Sequence, residues 1–479
     1  MIKTINELVA SDFCTGCGAC GVVDEEIKFT FRDDKGLSLP DTSGLTQQEL
    51  AKASEVCPFL HDNPRYTHFE QNSAGLEYNP LVGYFHKIVV GAIRDPLDRS
   101  RSTSGGMTTY VLRRLLEKRL VTGVIHLAQN PNTNGIENAF EYRLSRSIEE
   151  VESARGTKYF PGSLKELRHL LERDDESMVI VALPCFIRGI RLLTKNDDEC
   201  RKKIKYTISL VCGHLKTANF TKYLAINAGV SPNDSVSKIE YREPVPGGNA
   251  HDYRASFTVG ATERSSEKKH TLPTKELYAE NWAYGLSMPN ICSFCDDVAG
   301  ENADLTIGDA WIPPYDSDPR GTNIAIVRNL ELLDIIQEQG LDTVEVGVDD
   351  FVHSQAGSFR NRREGVLYRS ATNRVEIPTT RVSQLKIFDS IEDREYKSRS
   401  SVHQALRGHE SLISTLKFRD FQLFKFKTFY SITIYQFQKN GIRALLPRGL
   451  KKLLKTIMTN QGSSAAINSR KVYIKNHDI

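Results

Sequence analysis

No stretch of the 479-residue chain is apolar for long enough to cross a bilayer, which takes about 20 consecutive apolar residues. Residues 1–13 place Lys3, Asn6, Glu7 and Asp12 among apolar neighbours, so the apolar core of a secretory signal is lacking. Charge of one sign is not in excess. The 63 Lys and Arg against 60 Asp and Glu leave a formal +3, which speaks against a dedicated nucleic-acid binder. The glycine pair Gly105-Gly106 lacks the G-x-G-x-x-G spacing of ordinary dinucleotide loops. These absences point to a cytoplasmic, reducing setting. There the nine cysteines are expected to bind metal rather than to pair as disulfides. A chain of this length is expected to hold two to four domains.

The cysteines are what the sequence does have. Cys14, Cys17 and Cys20 recur at every third position with Gly16 and Gly18 between them, and Cys57 follows later, directly before Pro58. A C-x2-C-x2-C run with a separate Cys-Pro is the ligation pattern of cubane iron–sulfur clusters. The glycines let the loop turn back within two residues and leave amides free to point at sulfur. No cysteine stands three residues after Cys20, so these four thiols are expected to share one cluster. Structural zinc, the alternative, usually pairs two separated C-x2-C knuckles, which fits a tight triple poorly. Of the remaining five, Cys185, Cys212, Cys292 and Cys295 make a second complete set. Spacing alone leaves zinc and iron–sulfur both open for it. Cys200, in a polar stretch, is expected to be a bystander.

Along the chain, residues 1–80 read as a small ferredoxin-like head, with a strand at 27–31, a turn at 33–36, a helix at 46–54 and a linker at 72–75. A strand over 85–93, a polar loop over 94–102, Thr103-Ser104-Gly105-Gly106, a helix over 107–120 and a strand over 121–128 predict a βαβ unit. There Ser104-Gly105-Gly106 sits at a helix N-terminus, either an anion site or a plain capped turn. The loop Gly156-Thr157-Lys158-Tyr159 sets a cation beside a ring; a solvated surface loop is the plainer reading. Two strand–cysteine–helix units follow. One ends at Pro184-Cys185 and the other at Cys212-Gly213-His214, both at the carboxyl strand edge where open α/β sheets bind ligands. A helix N-terminus there favours the thiolate. An inserted β region is expected over 229–280, the knuckle Cys292–Cys295 comes next, and strands over 304–307 and 323–327 flank Asp309 and Trp311. Beyond about 350 the chain changes character; from 412 to 458 it is rich in Lys, Arg and aromatics with Asp420 the only acid, and 445–455 is a basic amphipathic stretch. It reads as a membrane or partner contact, or as a helix packed on the protein's own acidic face.

In order and spacing these motifs resemble the family of coenzyme F420-reducing hydrogenase/dehydrogenase beta subunits, which includes a chlorophyll-side-chain reductase of plants. The resemblance rests on Cys14 to Cys20 with Cys57-Pro58, Ser102 to Gly106, Gly156 to Tyr159, Leu183-Pro184-Cys185, Cys212-Gly213, the Cys292–Cys295 knuckle and Ile307-Gly308-Asp309-Ala310-Trp311. It covers roughly residues 5–345. It implies an α/β (overall α+β) iron–sulfur flavoprotein. The expected divisions are a head at 1–80, an N-terminal family domain at 81–160, a C-terminal one at 161–348 and, outside the resemblance, a basic helical tail at 349–479. It implies FAD held by Thr103, Ser104, Gly105, Gly106, Lys158 and Tyr159, and a [4Fe–4S] cluster on each cysteine set. Phe186 after the Pro-Cys pair and His214 after Cys212-Gly213 depart from the family pattern, on the substrate side of the flavin.

The expected function is electron transfer between FAD and an external carrier, coenzyme F420 or ferredoxin, through two [4Fe–4S] clusters. Lys158 is assigned to charge on the reduced flavin and Asp309 to a hydrogen bond with flavin or substrate. A redox subunit partner and peripheral membrane contact through the tail belong to the same expectation; nucleic acid does not. The rivals are a non-catalytic electron-transfer subunit and a zinc-stabilised binding module in polysaccharide biosynthesis.

Overall fold

The structure, a computed structural model, describes residues 2–60, 69, 74–133, 135–171, 176–231, 234–260, 266–277, 282–373, 400, 402–407 and 418–440. Residues 72 and 73 of the linker expected at 72–75 and all of the basic stretch 445–455 lie outside them.

Two capping boxes start the head. Thr4 and Glu7 close α1 (Ile5–Ala10), and Thr46 and Glu49 close α3 (Gln47–Glu55), each pair satisfying amides that a first turn leaves open. Between them lie α2 (Ala19–Val23) and the antiparallel pair β1 (Phe29–Arg32) and β2 (Leu37–Pro40). Ile5, Leu8, Phe13, Leu50 and Phe59 form the head's core together with Ile291 and Phe294 from the distant knuckle. Phe13 meets Phe294 edge-on at 5.5 Å. The head is thus packed onto the segment that carries Cys292 and Cys295.

A small hairpin, β3 (Glu77–Asn79) and β4 (Gly83–Phe85), leads to β5 (Lys87–Ile93), α4 (Pro96–Ser100), α5 (Met107–Glu117), β6 (Gly123–Gln129), β7 (Phe140–Ser145), α6 (Ile148–Ser153) and α7 (Leu167–Leu170). Next come β8 (Met178–Ala182), α8 (Pro184–Asn196), α9 (Asp198–Lys203), β9 (Ile204–Leu210) and α10 (Ala218–Ala228). The inserted region is a three-stranded antiparallel sheet of β10 (Val236–Pro244), β11 (Tyr253–Val259) and β12 (Lys268–Pro273). The chain then returns through β13 (Leu305–Asp309), β14 (Asn323–Val327), α11 (Leu330–Ile336) and β15 (Leu341–Glu345).

The central sheet has eight strands in the order β15-β5-β14-β13-β9-β8-β6-β7. Strands β13, β9, β8 and β6 run parallel, while β14 and the two edge strands pair antiparallel. The fold is mixed α/β. Strand alternation supplies two packed faces: Met178, Ile180 and Ala182 join Phe186, Ile187 and Ile190 of α8, while Val179 joins Val111, Leu112 and Leu115 of α5. The expected unit over 85–128 is present as strand, helix and strand, but β5 and β6 are not neighbours, because β14, β13, β9 and β8 lie between them. Strands on either side of residue 160 share this sheet. The polar loop expected at 94–102 contains α4, capped by Asp95 with Pro96 in its first turn.

A buried ion pair fixes the cysteine-bearing elements to one another. Arg191 of α8 donates to Asp304 Oδ2 (2.8 Å), Thr207 Oγ1 (2.9 Å) and Asn302 O (2.9 Å), and the Thr207 amide donates to the same carboxylate oxygen (2.7 Å). Arg328 donates to the carbonyls of Val82, Tyr84, Ala299 and Ala303, holding the turn after the knuckle. Each is a buried charge whose donors are met by acceptors, the condition under which such groups are tolerated.

The chain past β15, grouped by its composition with the basic tail, begins with three packed helices, α12 (Val348–Ser354), α13 (Ala356–Arg362) and α14 (Glu364–Asn373). Phe351, Phe359, Arg362 and Val366 are buried there. A long helix, α15 (Phe418–Asn440), buries Phe424, Ile432 and Tyr435 against the cluster that contains Tyr223 and Leu286. Among the described residues no helix is long and apolar enough to cross a membrane.

Candidate functional site

The first cysteine loop turns as its glycines require. Gly16 and Gly18 have φ of +68° and +84°, the left-handed region open to glycine at little cost. Space is also lacking: a Cβ on Gly16 would lie 2.3 Å from Ser38 O, and one on Gly18 2.6 Å from Lys165 N. The Leu164 amide donates to Cys17 O at 2.7 Å. Cys14, Cys17, Cys20 and Cys57 line one small cavity, walled by Ile5, Leu8, Phe29 and Pro58 among others. Burial raises the Cys14 thiol to about 12, with Cys17 adding to the shift. Cys20 is raised by burial and then by Cys17, Cys14 and Cys57, and Cys57 by burial, Cys17 and Cys14. Four thiolates cannot ionise together here without a positive core between them. The donor set therefore fits a cationic iron–sulfur core, which needs four thiolates and an apolar surround.

The second set is assembled from three parts of the chain. Cys185 lies in the first turn of α8 behind Pro184, Cys212 two residues past β9, and Cys292 in the turn Asn290–Ser293 with Cys295 just beyond. Burial raises Cys185 well above the ordinary thiol range, and Cys212, Cys295 and Cys292 raise it further. The thiolate-favouring effect expected of the helix end is outweighed. Cys295 is pushed up to about 11 by burial, with Arg362 opposing. The two sets abut: Cys17 also acts on Cys185, and Cys185 and Cys17 both act on Tyr142. Among the described residues no group of three or more His, Cys, Asp or Glu side chains is gathered to hold a single metal ion. Cys200 is buried on α9, and its thiol is perturbed by burial, Asp197 and Arg168 rather than by another thiol.

The two segments expected to hold FAD come together. Thr103 Oγ1 and Thr157 Oγ1 are 3.0 Å apart, joining the Ser104-Gly105-Gly106 turn to the Lys158-Tyr159 loop. Gly105 is pressed against the sheet, where a Cβ would lie 2.7 Å from Asn323 N and 2.9 Å from Gly91 O. Asn323 Oδ1 accepts from the Met107 amide (3.0 Å), and Asn323 Nδ2 reaches Ser104 Oγ (3.4 Å). One amide of the helix end is therefore already satisfied, and the loop 318–323 is part of the turn's surroundings. Lys158 is partly buried and donates to Ala154 O; burial lowers its ammonium to about 8.

Tyr159 and Asp309 meet through a residue that the motifs do not include. Arg242 of β10 donates to Asp309 Oδ2 at 2.7 Å and lies over the rings of Tyr253 and Trp311. The Tyr159 phenol is raised by burial, with Arg242 opposing. The Tyr159 ring packs 4.9 Å from Trp282, which stacks on His214 at 4.6 Å. Lys216 Nζ stands 4.3 Å above Trp282 and donates to Leu286 O. A continuous row, Cys212-Gly213-His214, Trp282 and Tyr159, thus joins the second thiol set to the Lys158-Tyr159 loop. Arg242, Trp282, Asn323 and Arg362 were not foreseen. Each acts across the fold and belongs to no local motif, although an aromatic beside a glycine-histidine pair could have drawn attention to Trp282.

Residues 88–167 match the sequence model for the N-terminal part of the coenzyme F420 hydrogenase/dehydrogenase beta subunit, and residues 175–346 match that for its C terminus. One subunit of the F420H2 dehydrogenase of Methanosarcina mazei is 25% identical over 326 residues, 65% of this chain and 80% of that one. The coenzyme F420-dependent sulfite reductase of Methanocaldococcus jannaschii is 26% identical over 225 residues, 43% of this chain but 32% of that protein. A chain in the F420-reducing [NiFe] hydrogenase complex of Methanosarcina barkeri aligns with a TM-score of 0.44 at 18% identity, covering 62% of this chain and 96% of that chain. The two sequence models together span more than half of the residues, and the chain belongs to the family of coenzyme F420 hydrogenase/dehydrogenase beta subunits, whose chemistry is oxidation–reduction.

Proposed function

We propose that this oxidoreductase is an F420-linked redox subunit that holds FAD and two [4Fe–4S] clusters. The observation that carries the reading is the sorting of eight cysteines into two sets of four, with Cys17 and Cys185 adjoining where the sets abut. Cys14, Cys17, Cys20 and Cys57 would hold one cluster, and Cys185, Cys212, Cys292 and Cys295 the other. When bound, flavin exchanges hydride or single electrons and clusters exchange single electrons, so together they link a two-electron carrier to a one-electron one. The family and both curated relatives support coenzyme F420 as the carrier, with ferredoxin as the one-electron counterpart and further redox subunits as partners. All nine cysteines are free, in keeping with a reducing cytoplasm.

The chain's own residues have distinct tasks in this reading. Thr103 and Ser104 offer hydroxyls to the flavin's phosphates, and Gly105 and Gly106 make the tight turn that presents them. Lys158 supplies a positive charge that burial makes easy to neutralise, suited to meeting negative charge on a ligand and to giving up a proton. Tyr159 and Trp282 form an aromatic wall that excludes water. Asp309, oriented by Arg242, would accept a hydrogen bond from flavin or substrate. The tail's reading is of the same kind: α15 exposes Phe426 (70%), Phe429 and Tyr430 beside Lys427, a pairing of rings and positive charge suited to a membrane surface. Truncation after residue 410 should abolish liposome binding, and unchanged binding would remove that part of the proposal.

The test of the whole is composition. Purified without oxygen, the chain should contain about eight irons with matching sulfide and about one flavin, as the ligand sets require. Zinc in place of iron, with no flavin, would overturn the proposal in favour of a metal-stabilised binding module.

A further inference from the structure

We infer that Arg362, which lies beyond both family domains, is the built-in counter-charge of the second thiol set and raises the reduction potential of the cluster held there. The inference rests on the second cluster of the proposed function. The family match ends at residue 346, and Arg362 is the last residue of α13. It is an arginine only 2% exposed. Its Nη1 donates to the carbonyl of Cys292 at 2.6 Å, while its buried Nε has no hydrogen-bond partner among the described residues.

A buried guanidinium is costly unless an anion faces it. Its neighbour Arg363 is paired with Asp296 (3.4 Å) and Glu301 (3.6 Å). Among the described residues Arg362 has no carboxylate partner. Instead the groups that act on it most are the sulfurs of Cys295, Cys212, Cys292 and Cys185, all four of one set. Its compensation is therefore the anionic ligand set. At the head, burial and one another are the chief influences on Cys20 and Cys57, and the buried Arg188, on which Cys57 acts, is influenced more by Asp296, Asp297 and Cys295.

Cluster potentials follow net charge, hydrogen bonds to sulfur and solvent exposure. Reduction adds one electron and no proton to a centre that is already anionic through its thiolates. A fixed cation beside it stabilises the reduced form more than the oxidised one. Arg362 stays protonated in both states, so the effect is on potential and not on proton uptake. The second set should accordingly be easier to reduce than the head set.

The experiment is a dithionite redox titration of the anaerobically purified full chain, followed by electron paramagnetic resonance, with Cys57→Ser used to assign the head signal. In the wild type the second-set signal should reduce at the higher potential; an equal or lower potential overturns the inference. Arg362→Gln should make that cluster about tenfold less reduced at a fixed potential, equivalent to about 59 mV for one electron, and leave the head signal in place. Arg362→Lys, which keeps the charge, should stay within about threefold of the wild type, or about 28 mV on the same conversion. A shift in Lys as large as in Gln would assign a structural role instead and overturn the inference. Wild-type protein with four irons, or with zinc on the second set, would sink the two-cluster function itself. Eight irons with both potentials unchanged in Arg362→Gln would sink only the role of Arg362.

Discussion

Lys158 gives the flavin reading a quantitative test. Burial lowers its ammonium from 10.5 to about 8, so keeping it charged at neutral pH costs the empty protein at most about 3 kcal/mol. Because the folded value lies below the unfolded one, the empty protein gains stability as pH rises from about 8 to 10.5, the window in which the unfolded chain holds the extra proton. An anionic ligand resting on Lys158 needs the charged form. Its affinity should therefore hold from pH 7 to about 8 and then weaken, falling about tenfold by pH 9, or about 1.4 kcal/mol. Binding at pH 9 should draw a proton from the buffer. Lys158→Met should bind FAD more weakly at pH 7 and show no such slope. Fluorescence titration of FAD into the deflavinated chain at pH 7, 8 and 9, with calorimetry in two buffers of different ionisation heat, reads both effects. A wild-type affinity equal at pH 7 and 9 would refute the assignment of Lys158 to the ligand's charge.

Gly105→Ala should weaken FAD binding by at least about tenfold and leave the iron content unchanged, because its Cβ would meet the backbone of Asn323 and Gly91 and not the thiol sets. Loss of iron together with flavin would show that the turn is structural. Arg191→Met strands the buried carboxylate of Asp304 and should cost about 3–5 kcal/mol, seen as a fall in the thermal midpoint; Arg191→Met with Asp304→Leu should recover most of it. An unchanged midpoint in the single variant would remove the ion pair as the clamp between α8 and the strands.

The parts that were legible in sequence are those whose cause is local. Thr46 with Glu49 stands at the start of the helix expected over 46–54, and the run 178–183 reads as a buried strand because both its faces are packed; Thr4 with Glu7 has the same spacing before α1, which was overlooked. The cysteine loop is legible because three thiols and two glycines in seven residues leave few other uses. Asp95-Pro96 is a helix-start signal overlooked in a segment read as a polar loop. Strand order was not legible: inserting β14, β13, β9 and β8 between β5 and β6 leaves no trace in the spacing of those strands. Nor was the pairing of Arg242 with Asp309, or the burial of Arg362 beside Cys292, since a charged side chain far along the chain looks the same in sequence whether it faces water or a thiol. The cofactor turn shows both sides. Ser104-Gly105-Gly106 was visible, whereas the use of its first helical amide by Asn323 is a product of the sheet.

The most direct measurement of the central claim is the magnetic resonance spectrum of the fully reduced protein. Because Cys17 of one set acts on Cys185 of the other, the two clusters should be close enough for their spins to interact. The account predicts a broadened, coupled spectrum that collapses to a single simple signal in Cys57→Ser and in Cys292→Ser. One uncoupled cluster in the wild type, with the second set of thiols free to react with alkylating agents, would contradict it.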